Sequence, residues 1–582
     1  MGGQLQGHAM SDLSVNEKGV AIYLPAQVFG RNWQEMMQRV IHSITKATRI
    51  VNTPVVMTSR TAGEKSPRWK LGGLDALSWF VYTLKIPVNH ELVRLWHTIE
   101  WTRINELASH AYSNGRGGRP AWAPAQLIGM LILMFLNGIA HETVTIARIQ
   151  ENIVWCWFCG FSLFGPFPTH DALYELRKRV GPQCFEQLLT TIIESCVQAK
   201  LVSNELVHFD LTPMTASAHR WSPYERAVIL ARALTRYLER LWMNENPDQP
   251  FCEALRTLAV EVALEALPHK GLKEVQPAQV LESIERWEGQ SKESLWQASI
   301  EEIVDQLIES EKEEPQPSNC TERSRLTAIA EKVVEQLPHT RGDEDARVGR
   351  TTSYTWFCGY LVGFVVDSLF QIITAVVIAT GNVKQAHMAR PALEIHIERV
   401  GVPESAAMDS AFDHSEVHSF LEAKEIQGHI TSRDHVQPKD GGYGTDRIRW
   451  MESSQVPVCP ADHPLTPIGN RRSDGTQVYE GSACKDCPCY KRCHPKGNGA
   501  AKRFNIKPEE HRQWLKNRDN CHTQDYKDAQ KKRFVSEGRF GLAKQNHKGA
   551  RAPYRSETMN TIAAIMIGIT MNLRILSWHN EC

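Results

Sequence analysis

The sequence predicts an α/β protein: a mixed sheet with helices on both faces, preceded by an all-α module and carrying two insertions, one helical and one cysteine-rich. Three observations predict it. Apolar residues recur at helical spacing from Leu71 to Val202. Short runs rich in strand formers follow at 206–212, 354–367, 370–380 and 405–409, with helical patterns between them. That alternation is broken twice, by an acidic amphipathic stretch at 222–340 and by a polar segment at 430–505 with clustered cysteines.

At 582 residues the chain exceeds one hydrophobic core and should hold roughly three or four domain-sized units. Residues 1–66 are weakly patterned, and SRTAGEKSP at 59–67 reads as a linker. The all-α module spans 67–203 and contains LIGMLILMFLNGIA at 127–140. That apolar run is shorter than the ~20 residues a membrane-spanning helix needs, so it reads as a buried core helix. LVHFDLT opens the α/β region and ends at Pro213. YTWFCGYLVGFVVD and FQIITAVVIAT have hairpin spacing across a short Ser-Leu connection. A helix through ARPALEIHIERV, a strand at SAAMD and a helix through EVHSFLEAKEI precede the cysteine segment. A basic helix and the apolar TIAAIMIGITMNLRILSW close the chain, so the α/β region is assembled from 204–221, 341–429 and 506–582.

Composition is that of an ordinary soluble globular protein, 42% hydrophobic and 23% charged. The 66 basic and 66 acidic residues cancel, so any binding of nucleic acid must be local. No secretory leader is recognisable, and the expectation is a reducing, cytoplasmic setting without a membrane. There, clustering among the fourteen cysteines suggests metal before disulfides.

Three acids occupy special places. Asp210 lies inside a strand, on one face with Leu206 and His208; Asp409 ends a later strand; Glu537 stands alone among eight lysines and arginines between Lys531 and Arg555. Each has a plain structural alternative: a turn-former before Pro213, a helix N-cap at Asp409 or Asp413, an ion pair between Glu537 and Arg533. If the three converge, each pair ~4 Å apart repels by about 4 kcal/mol, which divalent cations would relieve. Oxygen ligands suit Mg or Mn, and two such ions can clamp the attacking and leaving oxygens of a phosphodiester.

Cys459, Cys484, Cys487 and Cys493 have spacing suited to structural zinc, with Cys489, His463 and His494 nearby and a basic surround that suits DNA backbone. Cys156 and Cys159, flanked by Trp155, Trp157 and Phe158, read as buried small apolar groups. ETVTIARIQENI and HDALYELRKRV suggest a helix-turn-helix with an extended turn, which would bring Arg177, Lys178 and Arg179 to DNA phosphates.

Several stretches resemble DDE transposases of bacterial insertion sequences: GRPAWAPAQLIGMLILMFLNGI, FPTHDALYELRKRV, VHFDLTPMTASA, DEDARVGRTTSYTWFCGY and AMDSAFDHSEV, in that order, with the Y-x2-R-x3-E-x6-K signature matched at Arg533, Glu537 and Lys544. The resemblance implies a ribonuclease-H-like catalytic domain, an N-terminal DNA-binding module, and Asp210, Asp409 and Glu537 as ligands of two Mg ions. It also implies cleavage and strand transfer at inverted-repeat ends, joining to target DNA, and at least a dimer when assembled on DNA. Arg533 and Lys544, with Arg539 and Lys548 on the same basic stretch, would grip DNA phosphates. A zinc knot between the second and third acids belongs to the same resemblance. Three positions depart from the pattern: Gln530 and Phe412 replace tyrosines, and Leu361 replaces a lysine. A regulator that binds DNA without catalysis, and a nuclease without strand transfer, are the alternative readings.

Overall fold

The structure is a computed structural model that describes residues 76–112, 121–267, 269–288, 304–305, 308, 321–336, 340–350, 355–433, 441–451, 456–497 and 499–579. The expectations for residues 1–66 and for the linker at 59–67 lie outside the described residues. The chain forms two compact units, one of residues up to Thr215 together with those from Tyr360 onward, the other Ala216–Gly359.

The first unit opens with α1 (Ala76–Lys85), α2 (Glu91–Thr98), α3 (Trp101–Ser109), α4 (Pro124–Leu136), α5 (Glu142–Glu151), α6 (Ile153–Phe158) and α7 (His170–Gln198). Helix α4 begins at Pro124, whose missing N–H costs nothing in a first turn, and Asn105 accepts the Ala125 N–H at 3.0 Å. Every residue from Pro124 to Phe135 is buried, as expected of an apolar run with no polar face. Gly181 breaks α7 with φ 65°, and Pro182 follows it. The proposed helix-turn-helix differs from expectation in one respect: α6 forms within the presumed turn and buries Cys156, Trp157 and Phe158. Cys156 and Cys159 are both fully buried, and Tyr82 donates to Cys156 Sγ at 3.0 Å.

Strand β1 (Leu206–Thr215) follows α7. It runs past Pro213; its parallel pairing with a neighbouring strand ends at His208, so the missing N–H breaks no bond of that ladder. The second unit contains α8 (Pro223–Glu245), α9 (Glu253–Ala266), α10 (Pro277–Glu288) and α11 (Glu322–Gln336). Ser222 and Glu225 form a capping box at the start of α8. These helices share a core that includes Leu230, Leu234, Val260, Val280, Leu326 and Val333. The insertion read at 222–340 falls inside this unit, and residues 219–220 pair with 340–341 at its two ends.

The six-stranded sheet continues with β2 (Trp356–Asp367), β3 (Ile373–Thr380), β4 (Ser405–Met408) and β5 (Gln427–Ile430), five of its strands lying in the order β3-β2-β1-β4-β5, while residues 347–350 pair antiparallel with the start of β2. β2 and β3 form the expected antiparallel hairpin, while β4 is parallel to both β1 and β5. Helices α12 (Ala386–Arg399) and α13 (Ser415–Ala423) make the crossovers from β3 to β4 and from β4 to β5. β5 is an addition to the sequence reading.

The cysteine segment builds a small antiparallel sheet from β6 (Leu465–Ile468), β7 (Gln477–Gly481) and β8 (Arg503–Ile506). Ile448, Leu465, Tyr479, Phe504 and Ile506 form its core. The chain then makes α14 (Pro508–Asn520), α15 (Gln524–Asn546) and α16 (Glu557–His579). By length and composition α16 is apolar enough to cross a membrane, yet 78% of its apolar window is buried against the protein, with α7 and β3 as major neighbours. Its Asn572 accepts the Ile373 N–H and donates to the Ile373 carbonyl, both at 2.8 Å, so one buried amide covers the open edge of β3.

Candidate active site

Register places the first two acids together. His208 is paired with Ala407 across the parallel β1–β4 ladder, so Asp210 and Asp409 each lie two residues further along and project from the same face. Helix α15 packs across β1, β4 and β5. Gln530 fixes its approach by donating to the Met408 carbonyl at 3.1 Å and the His429 carbonyl at 2.7 Å. One turn on, Arg533 reaches Asp210 at 3.5 Å and Glu537 at 3.0 Å. The i,i+4 ion pair read from sequence is therefore present, and the same guanidinium also ties the helix to the strand.

The electrostatics register the crowding. Burial pushes the Asp210 carboxyl up to about 6, and the charges of Asp409 and Glu537 add to the rise against the Leu211 N–H and Arg533. Burial likewise raises Asp409, offset by the Ala411 N–H at 2.9 Å and by Arg533 and Arg433. His208 lies fully buried, and among the described residues neither of its ring nitrogens has a hydrogen-bond partner. Burial, Arg533 and Lys532 push it down to about 4, so it is neutral at physiological pH.

Asp413 occupies a different environment from Asp409. It accepts from His418 Nε2 and the Arg433 N–H, each at 2.8 Å, and from Asn517 at 3.0 Å. Burial alone would raise it, but these donors and the charges behind them hold it below the ordinary carboxylate range. Arg433 also donates from Nε to the Ser410 carbonyl at 3.0 Å, bracing the turn just after Asp409. Neither Arg433 nor Gln530 was singled out as a support from sequence, because each acts on backbone carbonyls brought near only by the fold.

The three departures from the signature residues are filled by packing or backbone contacts. Phe412 is fully buried against Phe209 with ring centroids 5.1 Å apart, Leu361 is buried in β2, and Gln530 bonds the two strand ends. A lysine at 361 would place its charge among β-sheet core residues.

The basic candidates separate by exposure. Lys178, Arg179, Lys544 and Lys548 are exposed, although Arg179 lies 3.6 Å from Glu175. Arg177 is buried, pairs with Glu142 and stacks 4.0 Å over Tyr554, so its guanidinium holds the module together and is not presented to a phosphate backbone. Arg539 is also buried, at 8% exposure, so it is not presented on the surface of α15 beside Lys544.

Among the described residues no group of three or more His, Cys, Asp or Glu side chains stands close enough to hold a metal. At the acids, Arg533 supplies the counter-charge between Asp210 and Glu537. The all-oxygen donor set and the mutual repulsion felt at Asp210 suit a hard divalent cation. The cysteines share one segment: burial pushes the Cys493 thiol up to about 11, with Cys484, Cys459 and Cys487 contributing. These side chains are not gathered into a closed tetrahedral set, so the arrangement does not support the zinc expectation.

Comparison with known proteins gives two family matches in chain order. Residues 80–179 match a transposase domain (DUF772), and residues 458–577 match a transposase DDE domain. The second match includes Glu537 and stops short of Asp210 and Asp409. A protein of Rhizobium meliloti described as "Uncharacterized protein ORF8 in nfe locus" is 36% identical over 126 residues. That alignment covers 21% of this chain and 59% of the relative's length. No solved structure matches.

Proposed function

Starting from what the two matches identify, a DDE transposase of insertion sequences, we propose that this chain binds its element's inverted-repeat ends as duplex DNA and cuts and joins strands there. Asp210, Asp409 and Glu537 are the catalytic carboxylates of this reading. The observation that carries it is the β1–β4 register, which sets Asp210 beside Asp409 under the helix bearing Glu537. The order β3-β2-β1-β4-β5, with an antiparallel hairpin on one side and parallel strands on the other, supports a ribonuclease-H-like sheet.

Two Mg or Mn ions at these carboxylates would supply the charge that activates the attacking oxygen and stabilises the leaving one. The chain's own residues do the rest. Asp409 keeps one oxygen on the Ala411 N–H, and the Arg433 brace fixes its turn. Asp413 is committed to His418, Asn517 and the Arg433 backbone, which favours Asp409 as the ligand. Arg533, which bridges Asp210 and Glu537, would be free to turn to a DNA phosphate were a metal to take over its counter-charge, while exposed Lys544 on α15 and Lys548 just past its end hold the backbone further along. Exposed Lys178 and Arg179 do the same on the helical module. Pairing two ends requires at least a dimer, working on cytoplasmic DNA.

The test is incubation of the purified protein with Mg or Mn and labelled DNA bearing the candidate ends. Cleavage or joining that disappears in Asp409→Ala supports the reading. Binding without either product, where a related active transposase succeeds, contradicts it and leaves a DNA-binding regulator.

A further inference from the structure

A second site lies on the far side of α15. Arg539 follows Glu537 by two residues, which is roughly 200° around a helix, so it faces away from the three acids. It lines a cavity of about 460 Å³ with Phe370, Leu542, His547, Arg574, Trp578 and His579 among its walls. Only 8% of Arg539 is exposed. Among the described residues its one hydrogen bond runs to the Phe370 carbonyl at 3.4 Å, its Nε has no partner, and no carboxylate pairs with it.

A buried cation without a counter-charge is costly, and proteins seldom retain one unless something else supplies the anion. Burial lowers this guanidinium to about 10, which still leaves it charged at neutral pH. The neighbouring groups reinforce the sign. Arg574 shares the lining and is only loosely paired with Glu91 at 3.6 Å, while Arg94 sits 4.9 Å over the Trp578 ring. His579 stands edge-on to Phe370, ring centroids 5.8 Å apart. Away from these cations the walls are aliphatic and aromatic, and Trp578 and Phe370 are 54% and 42% exposed. The cavity thus offers a guanidinium fork for a doubly charged oxyanion, aromatic edges for a flat apolar body, and room for both.

We propose that this cavity is a nucleotide site, separate from the three acids, in which Arg539 takes the phosphate and the Phe370–Trp578 wall takes the base. The nucleotide comes either free from solution or as one unpaired residue of a DNA strand; the chemistry of recognition is the same. The inference does not depend on the proposed catalytic role of the acids.

Thermal melting and titration calorimetry of the full chain test it, with deoxyadenosine monophosphate, deoxyadenosine, inorganic phosphate, and duplexes with or without one unpaired nucleotide. Deoxyadenosine monophosphate is expected to raise the melting temperature of the wild type and of Glu537→Gln alike. Deoxyadenosine or phosphate at equal concentration should raise it less. Arg539→Met should weaken binding at least about tenfold, the size of a lost charged hydrogen bond. Unliganded Arg539→Met should melt no lower than the wild type, because it removes an unpaired buried charge. A response only to the duplex with an unpaired nucleotide assigns the site to a DNA strand, whereas a response to the free nucleotide assigns it to a soluble ligand. Equal binding by Arg539→Met, no response of the wild type to either source, or a large drop in the melting temperature of unliganded Arg539→Met overturns the proposal.

Discussion

Replacing Asp210 with asparagine should make the metal-free protein more stable, although the aspartate it removes is the first of the proposed catalytic acids. The Asp210 carboxyl stands at about 6 in the fold against an ordinary 3.8, so ionising it costs about 3 kcal/mol more there than in the unfolded chain. Because the folded value is raised, the contribution of this group is fully present below about pH 4 and is lost as pH rises through about 6. Asparagine keeps the shape and does not ionise, and since the raised value already includes the attraction to Arg533 at 3.5 Å, the gain at pH 7.5 is up to about 3 kcal/mol. The assay is thermal melting of wild type and Asp210→Asn in chelator across pH 4 to 8, read as the difference between the two. That difference should be a few degrees at pH 7.5 and should shrink towards pH 4. Added Mg should raise the wild type and leave the variant nearly unchanged. A variant that melts below the wild type at pH 7.5, or a difference independent of pH, would refute the picture of carboxylates crowded in wait of a cation.

Two further outcomes follow from the same geometry. Asn572→Ala leaves the buried N–H and carbonyl of Ile373 unpaired and should cost about 2–4 kcal/mol in denaturant unfolding; a loss under 1 kcal/mol would show that the β3 edge is satisfied otherwise. His396 is fully buried between Thr374 at 2.7 Å and Asn204 at 2.9 Å, and burial with Arg399 pushes it down to about 4. Its neutral form therefore contributes stability that is full above pH 6.5 and lost as pH falls through about 4, on the order of 3 kcal/mol. His396→Gln should flatten that stretch of the stability profile, and parallel profiles would contradict the assignment.

Much of the sheet was legible because strand formers alternate or run apolar over the right lengths. Asp210 could be picked out since a carboxylate in LVHFDLT interrupts a face that would otherwise be core. Glu537 stood out by charge alone. β5 leaves no signal because QGHI is four residues long and is separated by only three residues from a helix, so period-2 alternation has no length in which to show. The fate of Arg177 is readable from spacing: it shares a helix face with Leu173, Leu176 and Val180, all buried, while Lys178 and Arg179 point elsewhere. Arg539 is the same case, sharing the buried side of α15 with Phe540, Ala543 and His547. The clamp of Asn572 on Ile373 and the brace of Arg433 on the Asp409 turn had no local signal. Each joins residues distant in sequence through backbone groups that every residue carries.

The central claim is that the lone acid of α15 does chemistry while the surrounding bases hold DNA. Strand cleavage and duplex affinity measured together on Glu537→Gln test it most directly. The account predicts affinity within about threefold of wild type, since Lys544 and Lys548 remain exposed, and cleavage reduced by at least about a hundredfold, or some 3 kcal/mol of barrier. A variant that binds as before and still cleaves at near the wild-type rate would reduce Glu537 to the ion-pair partner of Arg533.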